Sequence, residues 1–231
     1  MQNTHIHADS DALVAHIAAE LAAISHRSGV QHIALSGGST PKQLYRLLAS
    51  DAWRERVNWA NLHLWWGDER CVPPQDPESN YGEAERLLLA HVSVPAAHIH
   101  RMRGEADPTA ERARYAADIA AHIPDSRYDW IILGIGDDGH TASLFPGATD
   151  YASGENVAIA HHPQSGQTRL TLTAPLIMRG KRLSYLATGS GKAAILSQIA
   201  AGADYPAARI RAADGATEYH LDRAAAAELV Q

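Results

Sequence analysis

His32-Ile33-Ala34-Leu35-Ser36-Gly37-Gly38-Ser39-Thr40-Pro41 is the stretch that decides the fold. Its first four residues are a short apolar run, the pattern of a strand covered on both faces. A loop of small residues follows. Pro41 then suits the first turn of a helix, with Thr40 as its cap. The helix continues through Leu44, Tyr45, Leu47 and Leu48. A strand that turns sharply into a helix is the first half of a β-α-β unit, and such units build parallel sheets.

The same order recurs on either side. Upstream, Ser10 can cap an amphipathic helix with apolar positions Leu13, Val14, Ile17, Leu21 and Ile24, and Gly29 ends it. Downstream, Leu62 to Trp66 reads as a strand that ends in Gly67-Asp68-Glu69-Arg70. Helices are expected from about Tyr81 to Val92 and from Pro108 through Tyr115 and Ile119. Asp129 to Leu133 is a third strand, running into Gly134-Ile135-Gly136-Asp137-Asp138-Gly139-His140. Further strands are expected at Val157–Ala160, Arg169–Thr173 and Leu183–Ala187, and Gly189-Ser190-Gly191-Lys192 opens a helix through Ile195 and Ile199. The tail reads as a strand at Tyr219–Leu221 and a closing helix over Arg223–Val230. The expectation is an α/β chain with a three-layer α/β/α sandwich and a mostly parallel central sheet. With no repeat and no linker, residues 1–231 read as one domain.

Composition narrows the function. The 231 residues carry a formal net charge of −6, so the basic surplus of a nucleic-acid binder is absent. No apolar run approaches the roughly 20 residues of a membrane-spanning helix. Ala12 to Ile24 is alanine-rich but holds His16 and Glu20, which marks a helix and not a secretion signal. The single cysteine, Cys71, permits no internal disulfide, and the cytoplasm is the expected compartment. An anionic small molecule remains admissible if a local positive site holds it.

The glycine-rich loops supply that site. Ser36-Gly37-Gly38-Ser39-Thr40 brings free helix N–H groups and two kinds of hydroxyl to one place, as a phosphate cradle does; an ordinary strand-to-helix turn has the same spacing. Arg70 can bind a phosphate or stabilise an oxyanion, and Asp68 can accept a hydrogen bond from a histidine or a sugar hydroxyl; the alternative is a solvated charged loop. Cys71 reads as a small packing residue and not a nucleophile. His140 has the right proton affinity to activate water near neutral pH, with Asp138 close enough to orient it; a structural histidine capping the loop has the same pattern. Arg169 and Lys192 can each reach a phosphate or stay on the surface. His161-His162 are adjacent and point apart, so they give no metal site. The remaining histidines of the 14 read as surface or structural groups.

Taken in order, these strings resemble the 6-phosphogluconolactonases. The carriers are Ser36-Gly37-Gly38-Ser39-Thr40-Pro41, Gly67-Asp68-Glu69-Arg70-Cys71-Val72-Pro73, Glu78-Ser79-Asn80-Tyr81, Gly134 through Pro146, Arg169-Leu170-Thr171-Leu172-Thr173 and Thr188-Gly189-Ser190-Gly191-Lys192-Ala193. The resemblance implies a Rossmann-like fold shared with glucosamine-6-phosphate deaminases and ribose-5-phosphate isomerases. It implies hydrolysis of 6-phospho-D-glucono-1,5-lactone without metal or cofactor. By the same resemblance the Ser36 loop, Arg169 and Lys192 hold the phosphate, His140 is the base and Arg70 contacts the substrate near the reacting group. Many members carry proline where this chain has Asp137. Deamination is disfavoured, because the deaminases place a carboxylate shortly after the histidine and Thr141 to Pro146 holds none. A sugar-phosphate-binding module without catalysis is the alternative from another class. The partner expected is the small lactone, with no nucleic acid and no membrane, and the chain is expected to be a monomer or homodimer.

Overall fold

The protein is described here by a computed structural model covering residue 1 and residues 3–229. In chain order its elements are β1 (Thr4–His7), α1 (Ser10–Ser25), β2 (Gln31–Leu35), α2 (Ser39–Ala49), β3 (Leu62–Trp66), β4 (Asp68–Arg70), α3 (Asn80–Leu87), β5 (Ile99–His100), α4 (Pro108–His122), β6 (Trp130–Gly134), β7 (Val157–His161), β8 (Thr168–Leu172), α5 (Ala174–Met178), β9 (Arg182–Ala187), α6 (Ala193–Ala200), α7 (Pro206–Arg209) and β10 (Ala216–Asp222). Seven strands form one parallel sheet in the order β1-β10-β9-β6-β2-β3-β5.

The central strands are apolar throughout because both faces are covered. In β6, Trp130 and Ile132 join one core with α1, α2 and α3, while Ile131 and Leu133 join a second core with α4, α5 and α6. β3 alternates in the same way: Leu64 and Trp66 face the first layer and Trp65 the second. Leu13, Val14, Ile17, Leu21 and Ile24 of α1 are all buried, as the helical spacing predicts. Each such side chain contributes on the order of 1.5–3 kcal/mol. Asp9, not Ser10, caps α1, accepting from the Ala12 amide at 2.8 Å.

β2 leads through α2 to β3 on one side, whereas β6 leads to β9 on the other. The sheet order therefore reverses between β2 and β6, and the crevice beyond their carboxyl ends is the usual ligand position in such sheets.

Several expectations need correction. Asp68–Arg70 is not a loop but the strand β4, which pairs antiparallel with β8; β8 pairs with β7, so these three form a separate small sheet. The expected helix from Tyr81 to Val92 stops at Leu87 and continues as a short 3-10 turn. The closing helix over Arg223–Val230 is absent from residues 223–229, which form turns, and Val230 lies outside the described residues. There Asp222 Oδ1 accepts the Ala225 amide at 2.7 Å, and the later bonds from Ala227 and Leu229 span only three residues. The edge strands β1 and β5 are too short to show as periodic runs. Among the described residues no helix is long and apolar enough to cross a membrane.

Candidate functional site

The crevice is a cavity of about 300 Å³ lined by the turn after β2, the turn after β6, the turn after β9, and β4 and β8 of the small sheet. Ser36 to Thr40, Asp68, Arg70, His140, Arg169 and Lys192 all line it. Asp138 does not line it, but bonds to His140 from behind.

The first turn is built for close approach. Tyr45, fully buried, donates its hydroxyl to the Ser36 carbonyl at 2.7 Å and holds the turn from below. Gly37 packs on Asn80 so tightly that a Cβ would fall 1.9 Å from Asn80 Oδ1. Gly38 has φ +107°, a conformation that favours glycine. It is also the residue preceding α2, and no side chain caps that end. The first amides of α2 are thus left for a ligand, with the positive end of the helix behind them. Thr40 is not the cap expected from sequence. Its hydroxyl instead pairs with that of Thr188 at 2.8 Å, joining the turns after β2 and β9.

The second turn presents His140. The Asp138 carboxylate accepts from the His140 amide at 3.1 Å and meets Nδ1 at 2.5 Å. Burial alone would raise the Asp138 carboxyl, but the His140 amide and then the imidazole hold it below its ordinary range. An ionised carboxylate only accepts, so Nδ1 carries a proton, and in the neutral imidazole Nε2 is the nitrogen with the lone pair. Gly136 is required beside them: a Cβ there would lie 2.1 Å from His140 Nδ1 and 2.7 Å from Asp138 Oδ1. The turn continues into a tight reversal at Thr141–Leu144, with Ala142 at φ 50° lining the crevice. Among the described residues no serine hydroxyl hydrogen-bonds to His140.

Asp68 is buried and does not bond to a histidine. It accepts from Ser143 Oγ at 2.7 Å and from Asn80 Nδ2 at 3.3 Å, fastening the His140 turn to the small sheet. Glu69, left without a role by the sequence, accepts the amides of Asn80 at 2.7 Å and Tyr81 at 2.8 Å and the Ser79 hydroxyl at 3.0 Å. It therefore caps α3 from outside the helix. Burial pushes its carboxyl up to about 7, against those hydrogen bonds. Asn80, which the sequence marks only as part of Glu78-Ser79-Asn80-Tyr81, lines the crevice against Gly37 and Asp68. Cys71 is half-buried and its thiol is pushed up by burial and then by Glu69, so it is a poor nucleophile.

Arg70 and Arg169 are register partners on β4 and β8. Arg70 donates to the Glu78 carbonyl at 2.5 Å, and its Nε is buried without a partner. Arg169, 8% exposed, donates to Gln167 at 3.2 Å. Burial, and then the charge of Arg70, lower the hold of Arg169 on its proton. Among the described residues neither guanidinium meets a carboxylate in an ion pair. Arg70 shares a side recess of about 200 Å³ with Gly37, Gly38 and Ser39. Arg169 instead lies over Phe145, 5.8 Å from its centroid, and the Phe145 ring is 5.0 Å from that of His140. Lys192, at the end of a short turn after β9, meets Asp137 at 2.5 Å.

A sheet with this order, and a crevice that brings together an Asp-His pair and two arginines, defines the class: the chain belongs to the glucosamine-6-phosphate isomerase/6-phosphogluconolactonase family, whose model matches residues 7–219. It is 52% identical to the 6-phosphogluconolactonase of Haemophilus influenzae over 213 residues, covering 90% of this chain and 92% of the relative. Its fold matches the crystal structure of a protein named devB with TM-score 0.96 and 49% identity, over 99% of both chains. A second match is the 6-phosphogluconolactonase of Trypanosoma brucei, with TM-score 0.86 and 27% identity over 100% of this chain and 99% of that one.

Proposed function

We propose that the chain hydrolyses 6-phospho-D-glucono-1,5-lactone to 6-phospho-D-gluconate, residues 1–231 acting as one catalytic unit in the cytoplasm. The observation that carries this reading is the Asp138–His140 pair at a crevice that is also lined by two arginines, neither of which is in an ion pair among the described residues. The likeness to the Haemophilus influenzae enzyme supports the same substrate.

The Gly38 end of α2 and Arg70 receive the phosphate. Their shared recess supports this placing; Glu78 and Glu83 also line it, Glu83 being paired with Lys42. The resemblance implied Arg169 for the phosphate and Arg70 for the reacting end; the contacts favour the exchange, because Arg169 lies on the Phe145 ring beside His140. Lys192 adds a further positive charge once Asp137 yields it. Since the phosphate is remote from the bond that breaks, its binding energy orients the ring.

The chemistry then follows from the proton positions. A water attacks the lactone carbonyl carbon while His140 Nε2 takes its proton. The carbonyl oxygen becomes an oxyanion facing the Arg169 guanidinium. As the tetrahedral intermediate collapses, the ring C–O bond breaks and imidazolium His140 returns the proton to the leaving oxygen. Asp138 keeps Nδ1 protonated throughout and stabilises the imidazolium. With no serine bonded to His140, the nucleophile is water.

The test is hydrolysis of freshly made 6-phosphogluconolactone, coupled to oxidation of the product, with spontaneous opening subtracted. Turnover well above that background is expected. Binding of 6-phosphogluconate without any rate would contradict the proposal and favour a sugar-phosphate-binding module.

A further inference from the structure

We infer that His100, Asp118 and His122 form a site for one zinc-class divalent cation that ties the end of α4 to the edge strand β5. Asp118 and His122 stand one turn apart on the same face of α4, the spacing at which two helical side chains converge. His100 comes from β5, opposite Trp65 of β3. The Asp118 carboxylate lies 3.2 Å from His100 Nδ1 and 3.0 Å from His122 Nδ1. The three ligand atoms all fall within 4.8 Å of one another. Around a tetrahedral zinc with bonds of roughly 2.0–2.1 Å, ligand atoms lie about 3.4 Å apart, so small side-chain rotations close the site.

Burial grades outward across the ligands. His100 is 5% exposed, Asp118 16% and His122 43%, which leaves the outer side open to a water as a fourth ligand. His63 Nδ1 stands 3.0 Å from His100 Nε2. With a cation on Nδ1, His100 Nε2–H donates to His63, the outer-shell bond that metal-bound histidines characteristically make. His98 stacks on His63 with ring centroids 4.0 Å apart, and its Nδ1 is buried without a partner.

Among the described residues Asp118 has one cationic partner, Arg114, and shares it with Glu111. Arg114 reaches it only at 3.4 Å while bonding Glu111 at 2.6 Å, and Arg101 is taken by Glu105 at 2.6 Å. Two imidazoles and one carboxylate favour zinc, nickel, cobalt or copper over magnesium or calcium, which prefer all-oxygen sites. None of the three residues lines the crevice at the carboxyl ends of the strands, so the ion stabilises the fold and is no part of hydrolysis.

The experiment is calorimetric titration of zinc into the chelator-treated full chain, repeated on His122→Ala, Asp118→Asn and His7→Ala. His7 belongs to a separate histidine cluster with His5, His16 and His220, and serves as a control. Circular dichroism checks that each variant folds. The expected result is one zinc per chain at micromolar affinity or better for wild type and His7→Ala. His122→Ala and Asp118→Asn should each weaken it by more than about 10-fold, the loss that even an outer-shell partner causes. Copper should also quench Trp65, whose ring stacks on His100 at 3.8 Å, and this quenching should fall in the same two variants. No zinc uptake at submillimolar concentration, uptake unchanged in both variants, or uptake lost in His7→Ala would each overturn the inference.

Discussion

Arg70 and Arg169 stand directly opposite each other on β4 and β8, and among the described residues neither is in an ion pair with a carboxylate. Like charges at paired positions of a sheet are unfavourable. The pair is therefore stabilised when an anion enters the crevice. Addition of 6-phosphogluconate should raise the melting temperature of the wild type, by about 2.7 kcal/mol of stability at 100 times Kd. In Arg70→Ala that gain should largely vanish; an equal gain in wild type and variant would place the anion elsewhere.

The two arginines should separate kinetically. Arg70→Ala, which removes a phosphate contact, should raise KM by roughly 10- to 100-fold, the effect of about 1.5–3 kcal/mol for a charge-assisted bond. Arg169→Ala, which removes the group facing the oxyanion, should lower kcat by about 100-fold or more. Steady-state kinetics on both variants decide the matter. The opposite split would restore the assignment implied by the family resemblance.

Asp137 holds Lys192 at 2.5 Å although its own side chain is largely exposed. Asp137→Ala should free the ammonium and tighten 6-phosphogluconate binding by a few-fold. In a Lys192→Ala background the same change should do nothing, since a double-mutant cycle isolates the pair. Calorimetric binding to the four proteins gives the answer, and an effect that persists without Lys192 would rule out this account of the departure from proline.

Glu69 links the site to pH. Its folded carboxyl sits at about 7 against an ordinary value of 4.5. A raised carboxyl favours the folded state while protonated. Its contribution is full below pH 4.5, declines as pH rises, and is lost above about 7. Between these limits the unfolding free energy of wild type should fall relative to that of Glu69→Gln, and the difference should be flat at higher pH. Denaturant titrations across that range measure it; a constant difference would show that Glu69 is ionised throughout.

The strands and turns that frame the crevice were legible in the sequence because of how they are buried. β2, β3 and β6 are covered on both faces, so they read as short apolar runs, and the turns after β2 and β6 hold glycines that those turns require. Asp68-Glu69-Arg70 read as a charged loop because its partner, β8, lies about 100 residues away and antiparallel pairing leaves no local mark. The Ala-rich tail read as a helix on propensity alone, yet it makes no run of helical bonds through residues 223–229. The site residues were visible as types. Their roles were not, since the exclusion of His140 from Asp68 and the placing of Arg169 beside Phe145 depend on tertiary contacts. The His100, Asp118 and His122 group was invisible for the same reason.

His140 is the centre of the account, and its replacement is the most direct test. Hydrolysis of 6-phosphogluconolactone should be compared for wild type and His140→Ala, with spontaneous opening subtracted and 6-phosphogluconate binding measured on both. Loss of the base should lower kcat by on the order of 100- to 10,000-fold while product binding persists. A variant that keeps more than about a tenth of the wild-type rate, far above what loss of a general base allows, would contradict the assignment.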